Sequence, residues 1–533
     1  MRYSTTDPRL KPPRIEFPAR YNAATDLVER HVEQGHGGRI AFQDDERRCT
    51  YGELLEQVNR AGNALRALGV RAEDRVLLVM LDTIDFACAF LGAMKIGAVP
   101  VPLNTLFPPK DYEGIVLDSR ARVIVASDVL VPKLETAVHL SPHVARVLVS
   151  RSPGGAYDGP HARWDDALAA ESTELGPEDT GPDDVAFWLY SSGSTGRPKG
   201  AMHLHSHLMT TSVLYAQAVL GIKSTDVVYS AAKLFFAYGL GNSLTFPLSV
   251  GAHAVLTAER PTPAHVRAVL HKHQPTIFCG VPTLFASMLA DETLGPATAS
   301  RELRVSTSAG EALPRHIGEK WRARFGSEIL DGIGSTEMLH IFLSNHPGDV
   351  RYGTSGKPVG GYDLKLVGDD GEPVPAGEEG SLWVNGPTAA VGYFRDRARS
   401  LSTFHGPWTR TGDRYMRDAD GYYTYGGRSD DMLKVGGIWV SPFEVESALA
   451  AHDAVLEAAV VGHEDDDGLT KPKAFVVLKD ADAARKSSAL VGELQAFVKG
   501  SLAPYKYPRW IEFVAELPKT PTGKIQRFKL RHG

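Results

Sequence analysis

The chain reads as an α/β protein: a large multi-layer N-terminal domain with largely parallel sheets plus a β-rich subdomain, and a small mobile α+β C-terminal domain. Three observations predict this. The 533 residues exceed what one hydrophobic core usually organises. Short β-rich runs alternate with helical patterns through the first two thirds, which is the grammar of parallel layers. From Asp363 that grammar changes to strands separated by Gly/Pro/Asp turns. Beyond the polar, glycine-rich stretch Gly426-Gly427-Arg428-Ser429-Asp430-Asp431 lies a compact module of about a hundred residues.

In order, Thr50-Tyr51-Gly52-Glu53 has the form of a capping box, with Leu54, Val58, Ala61, Leu65 and Leu68 on one apolar face and Gly69 as the stop. A helix is predicted there. A strand over 76–81, a helix over 86–96 and a strand over 99–103 follow. Further strands are predicted at 123–126, 144–149, 185–189, 227–230, 254–256, 276–279 and 303–306. The first domain spans 1–428, with the β-rich subdomain at about 355–428 contributing strands at 363–367, 381–384 and 422–425. A hinge is placed at 429–433. The C-terminal domain, 434–533, is predicted to hold helices over 442–451 and 489–502 and strands at 458–461, 474–478 and 510–514.

Composition sets limits. Hydrophobic content of 43% and charged content of 23% are those of an ordinary globular chain. A net charge of −6 argues against a general nucleic-acid or anionic-membrane surface and allows a local cationic site. Cys49, Cys88 and Cys279 are odd in number and lack metal-ligand spacing, so they read as small, reduced, buried residues. The N-terminus shows no secretory signal, and the most apolar region, 86–103, is interrupted by Lys95 and two prolines. A cytoplasmic protein without a membrane span is expected.

The chemistry concentrates at Tyr190-Ser191-Ser192-Gly193-Ser194-Thr195-Gly196-Arg197-Pro198-Lys199-Gly200. Such a loop exposes backbone N–H groups, and its hydroxyls and ammonium add charge-assisted bonds to phosphate oxygens. No Gly-Lys-Ser/Thr sits at the Walker spacing. A short Ser/Gly fragment alone would be a surface turn; the full stretch with Lys199 reads as a nucleotide-phosphate loop. These eleven residues resemble the signature loop of adenylate-forming enzymes: acyl- and aryl-CoA synthetases, peptide-synthetase adenylation domains and luciferases. The resemblance implies that a carboxylate is coupled to ATP, giving an acyl-adenylate and pyrophosphate, and that the acyl group then passes to a thiol. It also implies that Ser191, Ser192, Gly193, Ser194, Thr195, Gly196 and Lys199 contact the nucleotide.

Other motifs follow in that family's order. In Asp331-Gly332-Ile333-Gly334-Ser335-Thr336-Glu337, the resemblance implies Asp331, Gly332 and Ile333 beside the nucleotide, Thr336 on phosphate and Glu337 on Mg²⁺. Magnesium suits carboxylate and phosphate oxygens; taken alone, Thr-Glu would simply start a helix. Ile333 stands where many members carry an aromatic residue, so adenine would meet an aliphatic face. Ser308-Ala309-Gly310-Glu311 matches a turn beside adenine and the acyl pocket, with Ala309, Gly310 and Glu311 as contacts. Thr411-Gly412-Asp413 matches the element whose aspartate accepts from the ribose hydroxyls, as a carboxylate can from two at once. Arg428 matches a nucleotide-contacting arginine, and Asp430 the pivot beyond it. Pro518-Lys519-Thr520-Pro521-Thr522-Gly523-Lys524 matches the C-terminal lysine loop. There Lys524 is the catalytic cation, stabilising the charge that builds when a carboxylate attacks the α-phosphate. In isolation it would be a solvated charge. Gly436 and Gly437 would border a tunnel for the pantetheine arm of coenzyme A, where a side chain would obstruct close approach.

The segments Lys233-Leu234-Phe235-Phe236-Ala237-Tyr238-Gly239-Leu240-Gly241 and Ser335-Thr336-Glu337-Met338-Leu339-His340-Ile341-Phe342 resemble those of benzoate-CoA ligases. They imply a pocket for a small aromatic acid built from Phe236, Ala237, Tyr238, Gly239, Leu339, His340 and Ile341, although such residues are commonly core. His340 either holds the carboxylate or satisfies a backbone group. His203, His205 and His207 share a face only on a strand and lack a fourth ligand, so zinc is not expected. The chain stops nine residues after Lys524, which favours free CoA over a carrier domain as acceptor. The alternatives are a stand-alone adenylation enzyme loading a carrier protein, a CoA ligase for a different small acid, a luciferase-like oxidase, and an idle nucleotide-binding regulator. Lys524 and Glu337 count against the last. ATP, Mg²⁺ and coenzyme A are the expected cofactors and co-substrates. A lysine acetyltransferase and deacetylase acting at Lys524, and a homodimer, are the protein partners allowed for; nucleic acid and membrane are not expected.

Overall fold

The computed structural model describes residues 2–192, 198–428, 431–435, 438–465, 470–480, 487–502, 506–519 and 525–531. The helix Tyr51–Ala67 begins as predicted: the Thr50 side chain accepts from the Glu53 nitrogen, Glu53 returns to the Thr50 backbone, and Gly69 ends the turn at φ +80°. Its apolar face packs on the helix Ile84–Lys95, whose 12 residues are all buried. The two helices meet at Gly62 and Gly92, where a Cβ on Gly92 would lie 2.9 Å from the Gly62 nitrogen. The apolar run over 86–103 is therefore a core helix and the adjoining strand Val99–Pro102. Lys95 stays within that core because Glu29 pairs with it and Asn59 accepts a further bond. Among the described residues, no helix is long and apolar enough to cross a membrane.

The alternating pattern resolves into two sheets, counted over the described residues. One has five parallel strands in the order Val99–Pro102, Arg75–Val79, Val123–Ser127, Arg146–Ser150 and Ala162–Arg163. In the nine-stranded sheet, the neighbours Glu328–Gly334, Val305–Ser308, Ile277–Gly280, Val227–Ser230, His253–Val255 and Ile40–Gln43 run parallel. Ile341–Ser344 returns antiparallel against Glu328–Gly334. Parallel pairing brings the ends of Val227–Ser230, Val305–Ser308 and Glu328–Gly334 to one edge. The segments that follow them carry Phe236 to Gly239, Ala309 to Glu311, and Ser335 to His340. Three motifs far apart in sequence thus converge at the carboxyl ends of parallel strands, where open α/β sheets bind ligands.

Asp363–Val367, Glu379–Asn385, Trp408–Arg417, Phe404–His405 and Tyr423–Arg428 form an antiparallel sheet. The strand expected at 422–425 continues to Arg428, which places Arg428 opposite Asp413. In the C-terminal module Val455–Glu464 and Thr470–Leu478 pair antiparallel, and Trp510–Phe513 lies parallel to the latter. The helices Pro442–Ala450 and Ser487–Ser501 bury Val445, Leu449, Leu494 and Val498 in this module's core.

Candidate active site

The phosphate-loop residues lie on a hairpin. Val185–Ser192 pairs antiparallel with Pro198–Leu204, with Ser191 opposite Lys199 and Ser192 opposite Pro198. The strand expected to stop at residue 189 therefore runs through both serines. Gly193, Ser194, Thr195 and Gly196 lie outside the described residues, as do Asp430, Gly436, Gly437 and Lys524. The last group is bracketed by described structure. Leu433–Val435 pairs with Ile438–Val440 on either side of 436–437, and a bridge joins Lys519 to Ile525 around the lysine loop.

The hairpin delivers Lys199 to Glu337. The Lys199 ammonium lies 3.3 Å from Glu337 Oε1 and donates to the Tyr393 hydroxyl at 2.7 Å, and that hydroxyl donates to Glu337 Oε1 at 2.7 Å. The ammonium also sits 4.2 Å from the centre of the Tyr393 ring. Burial pushes the Glu337 carboxyl toward neutrality, but the Lys199 charge and the Tyr393 hydrogen bond outweigh it and hold the pKa below the ordinary carboxylate value. An ionised carboxylate of this kind is a hard oxygen donor, so Glu337 fits a magnesium ligand. Sequence reasoning missed Tyr393. Its position follows from a segment laid against the hairpin: Ala201 bridges Tyr393, and Val391 and Phe394 donate to the carbonyls of Met202 and Gly200.

The nucleotide motifs differ in how they are placed. Gly310 is exposed at φ +95°, a conformation that favours glycine, while Ala309 is buried and Glu311 half-buried. Gly332 is buried, and a Cβ on it would lie 2.7 Å from the Leu343 carbonyl oxygen. Ile333 is half-buried and packs on the core that contains Tyr215, Phe246 and Ile341. Asp331 is buried, burial holds its carboxyl well above the ordinary range, and Oδ1 has no hydrogen-bond partner. Its carbonyl accepts from the Asn345 backbone and side chain. Arg428 Nη1 lies 3.3 Å from Asp413 Oδ1 and also donates to the Thr411 carbonyl at 3.2 Å. Gly412, at φ +78°, lets the arginine approach: a Cβ there would be 2.8 Å from its Nη2.

Two of the three histidines meet, His203 Nδ1 lying 3.1 Å from His207 Nδ1, while His205 turns away from them. His203 Nε2 donates to the Thr336 carbonyl at 2.8 Å, whereas His205 Nδ1 accepts from the Ala23 nitrogen at 3.1 Å. The strand ends at Leu204 and a helix starts at His205, so the common face that alternation would provide is lost. Among the described residues no metal-ligating cluster is present.

Phe236, Ala237 and Tyr238 are half-buried, and Leu339, His340 and Ile341 are buried. The Tyr238 and His340 rings lie 5.6 Å apart, and the Tyr238 hydroxyl bonds Thr307 Oγ1 at 2.6 Å. Phe246 meets His340 edge-on at 4.4 Å, with Tyr215 at 5.4 Å. Glycine is required around this ring: a Cβ on Gly241 would fall 2.4 Å from His340 Cδ2, and one on Gly239 would fall 2.0 Å from the Lys233 carbonyl oxygen. His340 Nε2 lies 3.3 Å from the Tyr238 carbonyl oxygen. A carbonyl only accepts, so Nε2 carries the proton. Burial, opposed only by that bond, pushes the imidazole pKa down to about 3. The Nε2 proton thus satisfies the Tyr238 carbonyl, one of the two roles the sequence allowed, and the buried Nδ1 has no hydrogen-bond partner among the described residues.

The chain matches the model of the AMP-binding enzyme over residues 28–394 and that of the AMP-binding enzyme C-terminal domain over 444–524. It is 57% identical over 530 residues to the benzoate–CoA ligase of Thauera aromatica, covering 99% of each chain. The crystal structure of a benzoate CoA ligase from Burkholderia xenovorans LB400 superposes with a TM-score of 0.88 at 52% identity, covering 96% of this chain and 99% of the other. An anthranilate CoA ligase in complex with anthranoyl-AMP superposes with a TM-score of 0.91 at 43% identity, covering 97% of each chain.

Proposed function

The chain belongs to the AMP-binding enzyme family, and we propose that it activates benzoate or a close small aromatic acid with ATP and passes the aroyl group to coenzyme A. One observation carries the reading. An uncharged wall, buried Leu339 and the His340 ring 5.6 Å from that of Tyr238, begins two residues from Glu337, a carboxylate kept ionised by Lys199. A ring fits the first and a metal-bound polyphosphate the second.

The acid's ring packs on Phe236, Ala237 and Tyr238, and its carboxylate points toward the α-phosphate. The hairpin and Lys199 hold the phosphates, Asp413 accepts from the ribose, and Glu337 would hold Mg²⁺. When bound, that ion neutralises phosphate charge. A carboxylate oxygen bonds to the α-phosphorus as the bond from that phosphorus to the bridging oxygen breaks, and pyrophosphate leaves with the electron pair. Lys524 stabilises the charge that develops. In the second step the CoA thiolate bonds to the acyl carbon, and the bond to AMP breaks. The small domain turns about Asp430, presenting Lys524 first and Gly436-Gly437 second. The acyl-adenylate held by the anthranilate CoA ligase supports the intermediate, and the place of action is the cytoplasm.

A panel of acids, read as CoA-dependent AMP formation, tests the substrate. Benzoate should exceed long alkyl acids in kcat/KM, and a higher value on decanoate overturns the assignment. Lys524→Ala should lose adenylate formation yet still convert supplied benzoyl-adenylate to thioester. Equal loss of both half-reactions in folded protein would exclude the two-orientation scheme.

A further inference from the structure

We infer that Thr388 and Tyr362 are positioning residues that hold one wall of the acid pocket in a strained turn and thereby set how tightly the acid binds. The inference rests on the reading of Leu339 and His340 as that wall.

Leu339 has φ +67° and ψ −45°. A bulky L-residue rarely adopts this conformation. The His340 nitrogen donates to the Met338 carbonyl at 2.8 Å, which makes the turn a γ-turn of the strained, positive-φ form. Such a conformation persists only where its surroundings over-determine it. Here the surroundings come from the β-rich region. The Met338 carbonyl accepts a second bond, from Thr388 Oγ1 at 2.8 Å, and the Tyr362 hydroxyl lies 2.8 Å from the same Oγ1. Threonine has one hydroxyl proton and the carbonyl must receive it, so Tyr362 donates. The bonds therefore run in one direction, from Tyr362 to Thr388 to Met338.

Water cannot substitute for this chain. Thr388 and Met338 are fully buried and Tyr362 is 5% exposed. The Tyr362 ring rests on Gly386, where a Cβ would lie 2.1 Å from the ring. The two preceding carbonyls are held separately: Ala390 donates to Glu337 at 2.7 Å, and His203 to Thr336 at 2.8 Å. The grip on Met338 thus acts on the acid side of the segment, and the other two act on the nucleotide side. Loosening it should release Leu339 and the His340 ring without moving Glu337.

Thr388→Val keeps the side-chain shape and removes the hydroxyl. The benzoate KM should rise about tenfold, the effect of one lost bond to a buried carbonyl, while the ATP KM stays within about twofold. Thr388→Ser should restore both, and Tyr362→Phe should raise the benzoate KM by a smaller factor. A folded Thr388→Val with an unchanged benzoate KM, or with both KM values raised in proportion, overturns the positioning role even if its melting temperature falls. Should Thr388→Val fail to fold, Tyr362→Phe decides the matter: a selective rise in benzoate KM supports the role, and none overturns it. Wild-type protein inactive on aryl acids would remove the substrate assignment, and this inference with it. An active wild type with no selective shift defeats this inference alone.

Discussion

Glu337 and His340 lie three residues apart, yet the fold treats their charges in opposite ways. Burial drives a carboxyl up and an imidazole down, so by itself it would make both neutral. At His340 only the Tyr238 carbonyl resists, and the ring stays neutral with a pKa of about 3. At Glu337 the Lys199 ammonium and the Tyr393 hydroxyl overcome burial and keep the carboxylate ionised. Exposure does not decide which end of the segment is ionic; the presence of a counter-charge brought by another strand does. One short stretch can then offer an ionic end to the nucleotide and a neutral end to a ring.

Removing the counter-charge is the largest way to disrupt this contrast. Lys199→Met leaves Glu337 buried with the Tyr393 phenol and its own backbone N–H to support the carboxylate. Adenylation kcat/KM should fall by about two to three orders of magnitude, because a charge aimed at phosphate is lost. The acid limb of its pH profile should also move upward, since nothing of comparable strength now holds the Glu337 pKa below its ordinary 4.5. Tyr393→Phe separates the two supports: the ammonium remains, so a loss of about tenfold and a smaller shift in the same direction are expected. Superimposable acid limbs for Lys199→Met and wild type would show that Lys199 does not set the charge on Glu337.

Much of this arrangement is legible in the sequence because its parts are contiguous. The capping box at Thr50, the strands at 227–230 and 363–367, and the motifs ending in Glu337 and Asp413 all carry their signal within a few residues. Parallel topology then does the assembling, by bringing the ends of three distant strands together. What escapes has no local pattern. Tyr393 lies 194 residues from Lys199, and Thr388 lies 50 from Met338; each is a single polar residue that matters through its partner. The hairpin reads as strand then loop because Pro198, Lys199, His203 and Leu204 show no clean alternation, although they pair with the preceding strand, with one register shift between Val185 and Phe187. The histidines mislead in the other direction, because equal spacing suggests a face that the change from strand to helix at His205 removes.

The smallest expected effect concerns stability, and it separates the two residues by pH window. His340 has its folded pKa depressed from 6.5 to about 3, so the unfolded chain binds the extra proton first. Its contribution is complete above pH 6.5 and is lost as pH falls toward 3, with a limiting slope of about 1.4 kcal/mol per pH unit. Glu337 is also depressed, but from 4.5, so its contribution is lost only below that value. Between pH 6.5 and 5 the two are therefore distinguishable. His203, His205 and His253 are likewise pushed down to about 4 by burial and share that window, so removing one histidine should flatten the dependence without abolishing it. His340→Met fills irregular space and cannot titrate. Its melting temperature should sit below wild type at pH 7, from the changed packing, but should fall less between pH 7 and pH 5. Lys199→Met should leave that interval unchanged unless the Glu337 pKa has climbed into it, which the shifted acid limb would report independently. If His340→Met loses stability over this interval as steeply as wild type, His340 is not held neutral in the fold, and the contrast between the two ends of the segment fails.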